Sequence, residues 1–190
     1  GGEPFLIKEN LKIIDLIHKE NPNILLRINT NLSVLTPKLY NQLKALKNVH
    51  WIVSAEATGK KFNYIRWPGK YATLLSNLKK IQQLQHKVSI NMAWNIFCAS
   101  NILEFIDEML QNNIHPNQFI LNAVIDPIEQ SIYNLTKKRR DALLENIKER
   151  ITSIDDKFFL HKVYKEMIEM LQKPLLDTHQ TALYNMLMDL

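Results

Sequence analysis

The chain has 190 residues, is 46% hydrophobic and carries a formal net charge of +5, so it is long and apolar enough to build one hydrophobic core. It has no apolar run of the roughly 18 to 20 residues needed to span a bilayer, and no charged-then-apolar signal pattern at its start. A single cysteine, Cys98, excludes an internal disulfide framework and any metal site built from several thiolates of this chain. We therefore expect a globular, cytoplasmic protein.

The first two thirds of the sequence alternate between helical and strand patterns. Each strand candidate is short, apolar and bounded by turn residues, whereas each helix candidate places apolar residues on one face. Thr36 and Pro37 form the cap and first-turn pair of the second helix. In chain order we predict a helix with apolar positions from 11 to 17 that stops before 21, a strand over 23–29, a helix over 38–47, a strand over 49–55, a helix over 74–84, a strand over 87–94, a helix over 102–110 and a strand over 118–125.

After Pro127 the pattern is helical only. Thr136 caps a predicted helix that ends at Arg150, and helical spacing returns over 158–171 and 175–190.

Four strands separated by helices predict parallel βα units, because parallel neighbours need a crossover connection and a helix is the usual one. No Gly/Ser linker separates the two parts of the chain. We therefore divide it into a βα part over 1–130 and a helical C-terminal extension over 131–190 that packs on it.

The chain opens with "GGEP", residues Gly1, Gly2, Glu3 and Pro4, directly before a helix. Ligand sites of βα folds lie in the loops after the strands, where a glycine pair allows a sharp turn and a close approach to a ligand. The segment is typical of such a loop, and the strand before it is then missing. A simple helix-start turn, with Glu3 at the positive end of the helix dipole and Pro4 in the first turn, explains the same residues.

Two further candidates follow the second strand. Ser54 and Glu56 are two residues apart and share one face, although a capping serine and a solvated glutamate fit as well. Arg66, in "YIRWPG", offers a guanidinium fork that matches a carboxylate with two parallel hydrogen bonds. The alternative is an arginine that stacks on Trp67 or pairs with a surface acid.

Asparagines mark the later strands. Asn91 and Asn95 flank the end of the third strand, where a buried asparagine can equally satisfy backbone groups. Asn122, Val124 and Ile125 lie on the fourth strand, and we expect their side chains to be mostly core.

The remaining candidates have simpler explanations. Cys98 is expected to be a small core residue, and Trp51 and Trp94 are expected in the core. The six histidines lack metal-ligand spacing, so no metal site is predicted. The basic run 137–140 begins a helix, where cations oppose the dipole, which suggests either an acidic partner or a solvated basic turn.

Four segments match one family in order and spacing. They are "GGEPFLIKENLKIIDLI" (1–17), "LLRINTNLS" (25–33), "VSAEATGKKFNYIRWPGKYATLLSNL" (53–78) and "FILNAVIDPIEQSIYNLTKKRRDAL" (119–143). Together they resemble the radical S-adenosylmethionine (SAM) enzymes, and among them the twitch-domain-containing radical SAM proteins of phage and marine bacterial type. The resemblance implies a partial (β/α)6 TIM-like barrel of parallel strands, about four of which are present, followed by the helical extension.

The resemblance also implies a SAM-binding role for each candidate. Gly1, Gly2, Glu3 and Pro4 would lie at the methionine end of SAM, where a carboxylate and carbonyl groups accept hydrogen bonds from its ammonium. Ser54 and Glu56 would contact its methionyl or ribose groups, and Arg66 its carboxylate; Asn91 and Asn95 would reach the ribose, and Asn122 and Val124 would flank the adenine. Here "SAEA" replaces the family's Ser-x-Asp-Gly, so the acid is one methylene longer.

Radical SAM chemistry also needs a 4Fe-4S cluster held by three cysteines; reduction of the bound SAM then yields a 5′-deoxyadenosyl radical that abstracts hydrogen from a substrate. Because this chain has one cysteine, the cluster ligands would belong to the full-length protein only. We expect an N-terminally truncated piece, inactive alone, or else a degenerate relative without redox chemistry. Its expected partners are the missing N-terminal half and an unknown substrate, a peptide being one candidate, with no membrane or nucleic-acid partner.

The alternative function is a non-catalytic α/β binding module whose basic helical tail holds an acidic partner. If the chain is a truncated piece, a barrel without its first two strands would expose the edge of the strand over 23–29, which favours association.

Overall fold

The structure, a computed structural model, describes residues 2–153 and 159–173. The helix predicted over 175–190 lies outside these residues. The chain divides into two compact units, Gly1–Asn91 (unit 1) and Met92–Leu190 (unit 2). The predicted division at residue 130 stays a prediction.

The helices are α1 (Lys8–Glu20), α2 (Pro37–Lys44), α3 (Gly59–Ile65), α4 (Tyr71–Gln82), α5 (Ile102–Gln111), α6 (Lys137–Thr152) and α7 (Phe159–Gln172). The strands are β1 (Leu26–Thr30), β2 (Val49–Ser54), β3 (Lys87–Trp94) and β4 (Phe119–Ala123). They form one parallel sheet in the order β1-β2-β3-β4. The predicted α/β class with about four parallel strands is therefore confirmed.

The core of unit 1 is built on the register of its three strands. Ile28 lies opposite Trp51, which lies opposite Val88, and all three side chains are buried. Trp51 also packs edge-on against Phe5, with ring centroids 6.0 Å apart, and its indole N–H donates to Nδ1 of His86 at 3.2 Å. The predicted core position of Trp51 is confirmed, and this side chain fixes the start of the chain against the sheet.

Unit 2 is held together by the apolar faces of its helices. α5 and α7 each bury a stripe of large residues, and α7 contacts β4. The guanidinium of Arg150 on α6 donates to the carboxylate of Asp107 on α5 at 2.6 Å. Trp94 and Cys98 are completely buried, as predicted.

Several predicted boundaries are corrected. β1 covers 26–30 rather than 23–29, and α2 ends at residue 44 rather than 47. α3 was not predicted, because its seven residues bury only Phe62 and so carry no apolar stripe.

The two predicted threonine caps differ. The Oγ1 of Thr36 accepts a hydrogen bond from the N–H of Leu39 at 3.2 Å, so this cap is confirmed. Thr136 occupies the N-cap position of α6 but makes no capping bond with its side chain, so its predicted cap is wrong in that respect.

The expectation that the β4 side chains are core is also wrong. Asn122 on β4 is exposed, and Phe119 is the buried residue of the strand. Val124 and Ile125 were predicted on this strand but follow its end, where Val124 is half-buried and Ile125 is exposed. β4 is the last strand in the sheet order, so it has a neighbour on one side only.

No helix within 2–153 or 159–173 is long and apolar enough to cross a bilayer. The cytoplasmic location stays a prediction.

Candidate functional site

The carboxyl ends of β1 and β2 carry most of the predicted site residues of unit 1. Thr30, the last residue of β1, lies opposite Val53, and Ser54, the last residue of β2, lies opposite Asn91. Parallel strands end at a common edge, and in open α/β sheets this edge is where ligands bind. Ser54 and Asn91 are therefore brought together there, both half-buried.

Glu3 is tied to the end of β1. Glu3 is only 6% exposed. The hydroxyl of Thr30 donates to its carboxylate and lies 2.8 Å from each of the two oxygens. The N–H of Asn31 donates to Oε2 at 3.0 Å. Burial raises the pKa of Glu3 above its usual value, while these hydrogen bonds act in the opposite direction.

Glu3 also begins the chain's first turn. It is the N-cap of a 3-10 turn, Pro4–Leu6, and its carboxylate accepts from the N–H of Phe5. The helix-start explanation of "GGEP" therefore describes its local conformation, while the bond to Thr30 adds a long-range contact. Gly2 is exposed, and Gly1 lies outside the described residues.

Glu56 and Arg66 form a buried ion pair just beyond β2. The Nε of Arg66 donates to Oε1 and Oε2 of Glu56 at 2.9 and 3.1 Å, and Nη2 donates to Oε2. Glu56 is 1% exposed, whereas the Arg66 side chain is 25% exposed. Burial raises the pKa of Glu56, and the guanidinium opposes that rise.

Two glycines shape the segment that presents Arg66. Gly59 begins α3 with φ +50°, a conformation that residues with a Cβ rarely adopt. After α3, the N–H of Gly69 donates to the carbonyl of Arg66 at 2.7 Å, and a Cβ at Gly69 would lie 2.7 Å from that oxygen. The turn that follows Arg66 therefore requires glycine.

Arg66 thus binds a carboxylate through its fork, as its chemistry predicted, but the partner here is internal. The alternative explanation had Arg66 stack on Trp67 or pair with a surface acid. Its partner Glu56 is instead a buried acid, and the neighbouring Trp67 is 80% exposed. A role toward a cofactor carboxylate stays a prediction.

Asn95, Asn122 and Val124 belong to unit 2. The amide of Asn95 is buried in its own turn: its Nδ2 donates to the carbonyl of Ala93 at 2.9 Å, and its Oδ1 accepts from the N–H groups of Phe97 and Cys98. The amide therefore satisfies backbone groups, which was the alternative explanation for this residue.

Thr30 and Asn31 were not among the predicted site residues. The only signal was the "TN" pair in the segment 25–33 that matched the family, and it suggested no partner. Glu3 lies 27 residues away, a separation at which sequence spacing gives no information about contact.

The residues present do not fit a 4Fe-4S cluster. The sequence has one cysteine, which is buried, and no group of three or more His, Cys, Asp or Glu in the described part of the chain could hold a metal ion. No chemical step is assigned to such a cluster in this chain.

The chain matches no protein-family model and no curated protein. Among solved structures it is similar to SuiB of Streptococcus suis bound to S-adenosylmethionine, with 18% identity and a TM-score of 0.56 over 80% of this chain and 34% of that chain. It is also similar to a second structure of SuiB, with 16% identity and a TM-score of 0.54 over 79% of this chain and 36% of that chain. The chain therefore spans about a third of the length of these proteins and shares the α/β fold of that part.

Proposed function

We propose that this chain is the SAM-binding half of a radical SAM enzyme. The main support is the buried Glu56–Arg66 pair at the carboxyl edge of a sheet whose fold is similar to that of SuiB bound to SAM. Glu3, at the end of the neighbouring strand, adds a second buried carboxylate at this edge.

The chemistry of these side chains fits the amino-acid end of SAM, which carries one carboxylate and one ammonium. Arg66 already holds a carboxylate through two nitrogens, so a ligand carboxylate can replace Glu56 there without any new type of contact. The buried carboxylate of Glu3 is an acceptor for the ammonium. In this proposal, the carboxylate of Glu56 and the carboxylate of SAM compete for the guanidinium of Arg66.

The proposal places the cluster ligands outside this chain, in the missing N-terminal half. β1 is the first strand of the sheet, and a cleft beside it is lined by residues including Ile13, Ile14 and Ile28. Such an open edge with apolar surroundings suits the addition of a further βα segment.

The test is SAM titration by isothermal calorimetry with Glu56→Gln and with the double variant Glu56→Gln/Arg66→Gln. The first change weakens the internal competitor, so we expect tighter binding than in the wild type. The second removes the fork as well, and we expect binding at least about tenfold weaker than for Glu56→Gln, since a charge-assisted hydrogen bond contributes about 1.5–3 kcal/mol.

The matched control is Asp107→Asn/Arg150→Gln, which neutralises the carboxylate–guanidinium pair of unit 2. It should leave the affinity for SAM unchanged. Equal affinities for the wild type and both Glu56 variants would contradict the assignment of Arg66. A complete lack of SAM binding would favour the non-catalytic binding module.

A further inference from the structure

The basic residues of this protein are concentrated in unit 1. Residues 1–91 contain fourteen Lys and Arg against five Asp and Glu, whereas residues 92–190 contain ten against fourteen. Between Glu56 and Glu104 there are seven basic residues and no acidic one. The modest net charge of the whole chain therefore conceals a strongly cationic first unit.

Within the acid-free stretch, residues 59–70 form a surface that combines cations with exposed aromatic side chains. We call it the 59–70 surface. Trp67 is 80% exposed and Tyr64 is 73% exposed, the two highest values among the exposed large apolar side chains of the described residues. Lys60 and Lys70 are exposed on the same segment.

The charge of this surface is not cancelled within the segment. The nearest acid in the sequence is Glu56, four residues before Lys60, and it is paired with Arg66; no acidic residue lies between 57 and 103. The Gly69 turn holds Trp67 between α3 and α4, so the ring is presented by a fixed backbone. The surface therefore offers positive charge and planar rings together.

This combination matches single-stranded nucleic acid better than it matches a peptide. Unpaired bases stack on exposed aromatic side chains, and their phosphates bind nearby lysines. An acidic peptide would satisfy the lysines but would leave the faces of Trp67 and Tyr64 without planar partners.

We propose that the 59–70 surface binds single-stranded nucleic acid, with Trp67 and Tyr64 stacking on bases and Lys60 and Lys70 contacting phosphates. This proposal replaces the expectation of no nucleic-acid partner. The inference goes beyond the proposed SAM site and does not depend on it.

The experiment is a fluorescence-anisotropy titration of the full chain with labelled 15-nucleotide oligo(dT) and oligo(rU) at several salt concentrations. Tyr64→Ala/Trp67→Ala should weaken binding at least about tenfold with little change in salt dependence, because stacking is lost and the charges remain. Lys60→Gln/Lys70→Gln should reduce the slope of log K against log[salt] by about 1.4, since each phosphate contact on a single strand contributes about 0.7.

The matched control is Lys137→Gln/Lys138→Gln, which removes the same charge from the exposed start of α6 in unit 2 and should change the affinity less than twofold. The proposal is overturned if neither oligonucleotide binds, or if the aromatic variant binds as tightly as the wild type. It is also overturned if poly-glutamate or phosphatidylserine vesicles bind as tightly with the same dependence on Trp67, because the partner would then be an acidic peptide or a membrane.

Discussion

Glu3 and Glu56 are buried carboxylates near the ends of neighbouring strands, yet their partners differ. Glu3 accepts from a hydroxyl and from backbone N–H groups, whereas Glu56 accepts from a guanidinium. Burial raises the pKa of both groups. For Glu56, the charge of Arg66 is therefore what keeps the ionised form tolerable at neutral pH.

Arg66→Gln should destabilise the chain by about 3 kcal/mol at pH 7, because it leaves a buried carboxylate without its cation. Burial places the folded-state pKa of Glu56 above its usual 4.5, and loss of Arg66 raises it further. The stability of the variant is therefore highest below pH 4.5, where Glu56 is protonated in both states, and falls as the pH rises toward the folded-state pKa. Urea unfolding at pH 4 and pH 7 measures this difference.

The control is Glu56→Gln/Arg66→Gln, which should recover part of the loss at pH 7 because no buried charge remains. An equal loss for Arg66→Gln at both pH values would show that Arg66 acts through packing alone.

Among the features of single residues, the contacts within the candidate site were the hardest to predict from the sequence. Arg66 was identified as a carboxylate-binding residue from its chemistry, but Glu56 lies ten residues earlier, in the loop between β2 and α3. Nothing in their spacing showed that they meet. The same limit hid the contact between Glu3 and Thr30.

The helices and strands with strong periodicity could be predicted from the sequence, whereas the short helix α3 could not. β3 covers 87–94 as predicted, because it is a largely apolar run between turns and has a neighbouring strand on each side. α3 gave no periodic signal, although it presents Arg66. The exposed face of β4 was missed because an apolar segment does not reveal whether its strand has one neighbour or two.

Thr36→Ala should lower the free energy of unfolding by about 1 kcal/mol, because the N–H of Leu39 at the start of α2 would lose its capping oxygen. Thr136→Ala is the matched control, since that threonine is at an N-cap position without a capping bond, and it should cost distinctly less. Chemical denaturation of the two variants measures the difference, and equal losses would mean that the Thr36 bond contributes nothing.

At the scale of the whole chain, unit 1 has an exposed apolar surface beside β1. Exposed large apolar residues lie on α1, just before α1 and just before β1: Leu6, Ile7, Ile13, Leu16, Ile24 and Leu25. The resemblance to a longer barrel predicted an exposed strand edge here, since that edge loses its neighbour when the first two strands are missing. The exposed apolar residues of α1 were not part of that prediction.

This surface should cause concentration-dependent association of the isolated chain. Ile13→Lys/Leu16→Lys should shift sedimentation velocity profiles toward the monomer, because both side chains are more than half exposed. Ile125→Lys, at an equally exposed isoleucine of unit 2, should not. A monomeric wild type at all concentrations would contradict the expectation.

The position of Cys98 has one further consequence. Its sulfur accepts from the N–H of Asn95 inside a closed turn of unit 2, and it is the sole thiol of the sequence. A thiol-reactive dye can therefore react only at Cys98, and it cannot reach this sulfur while the side chain stays buried. The rate of labelling therefore measures how often the buried Cys98 becomes exposed.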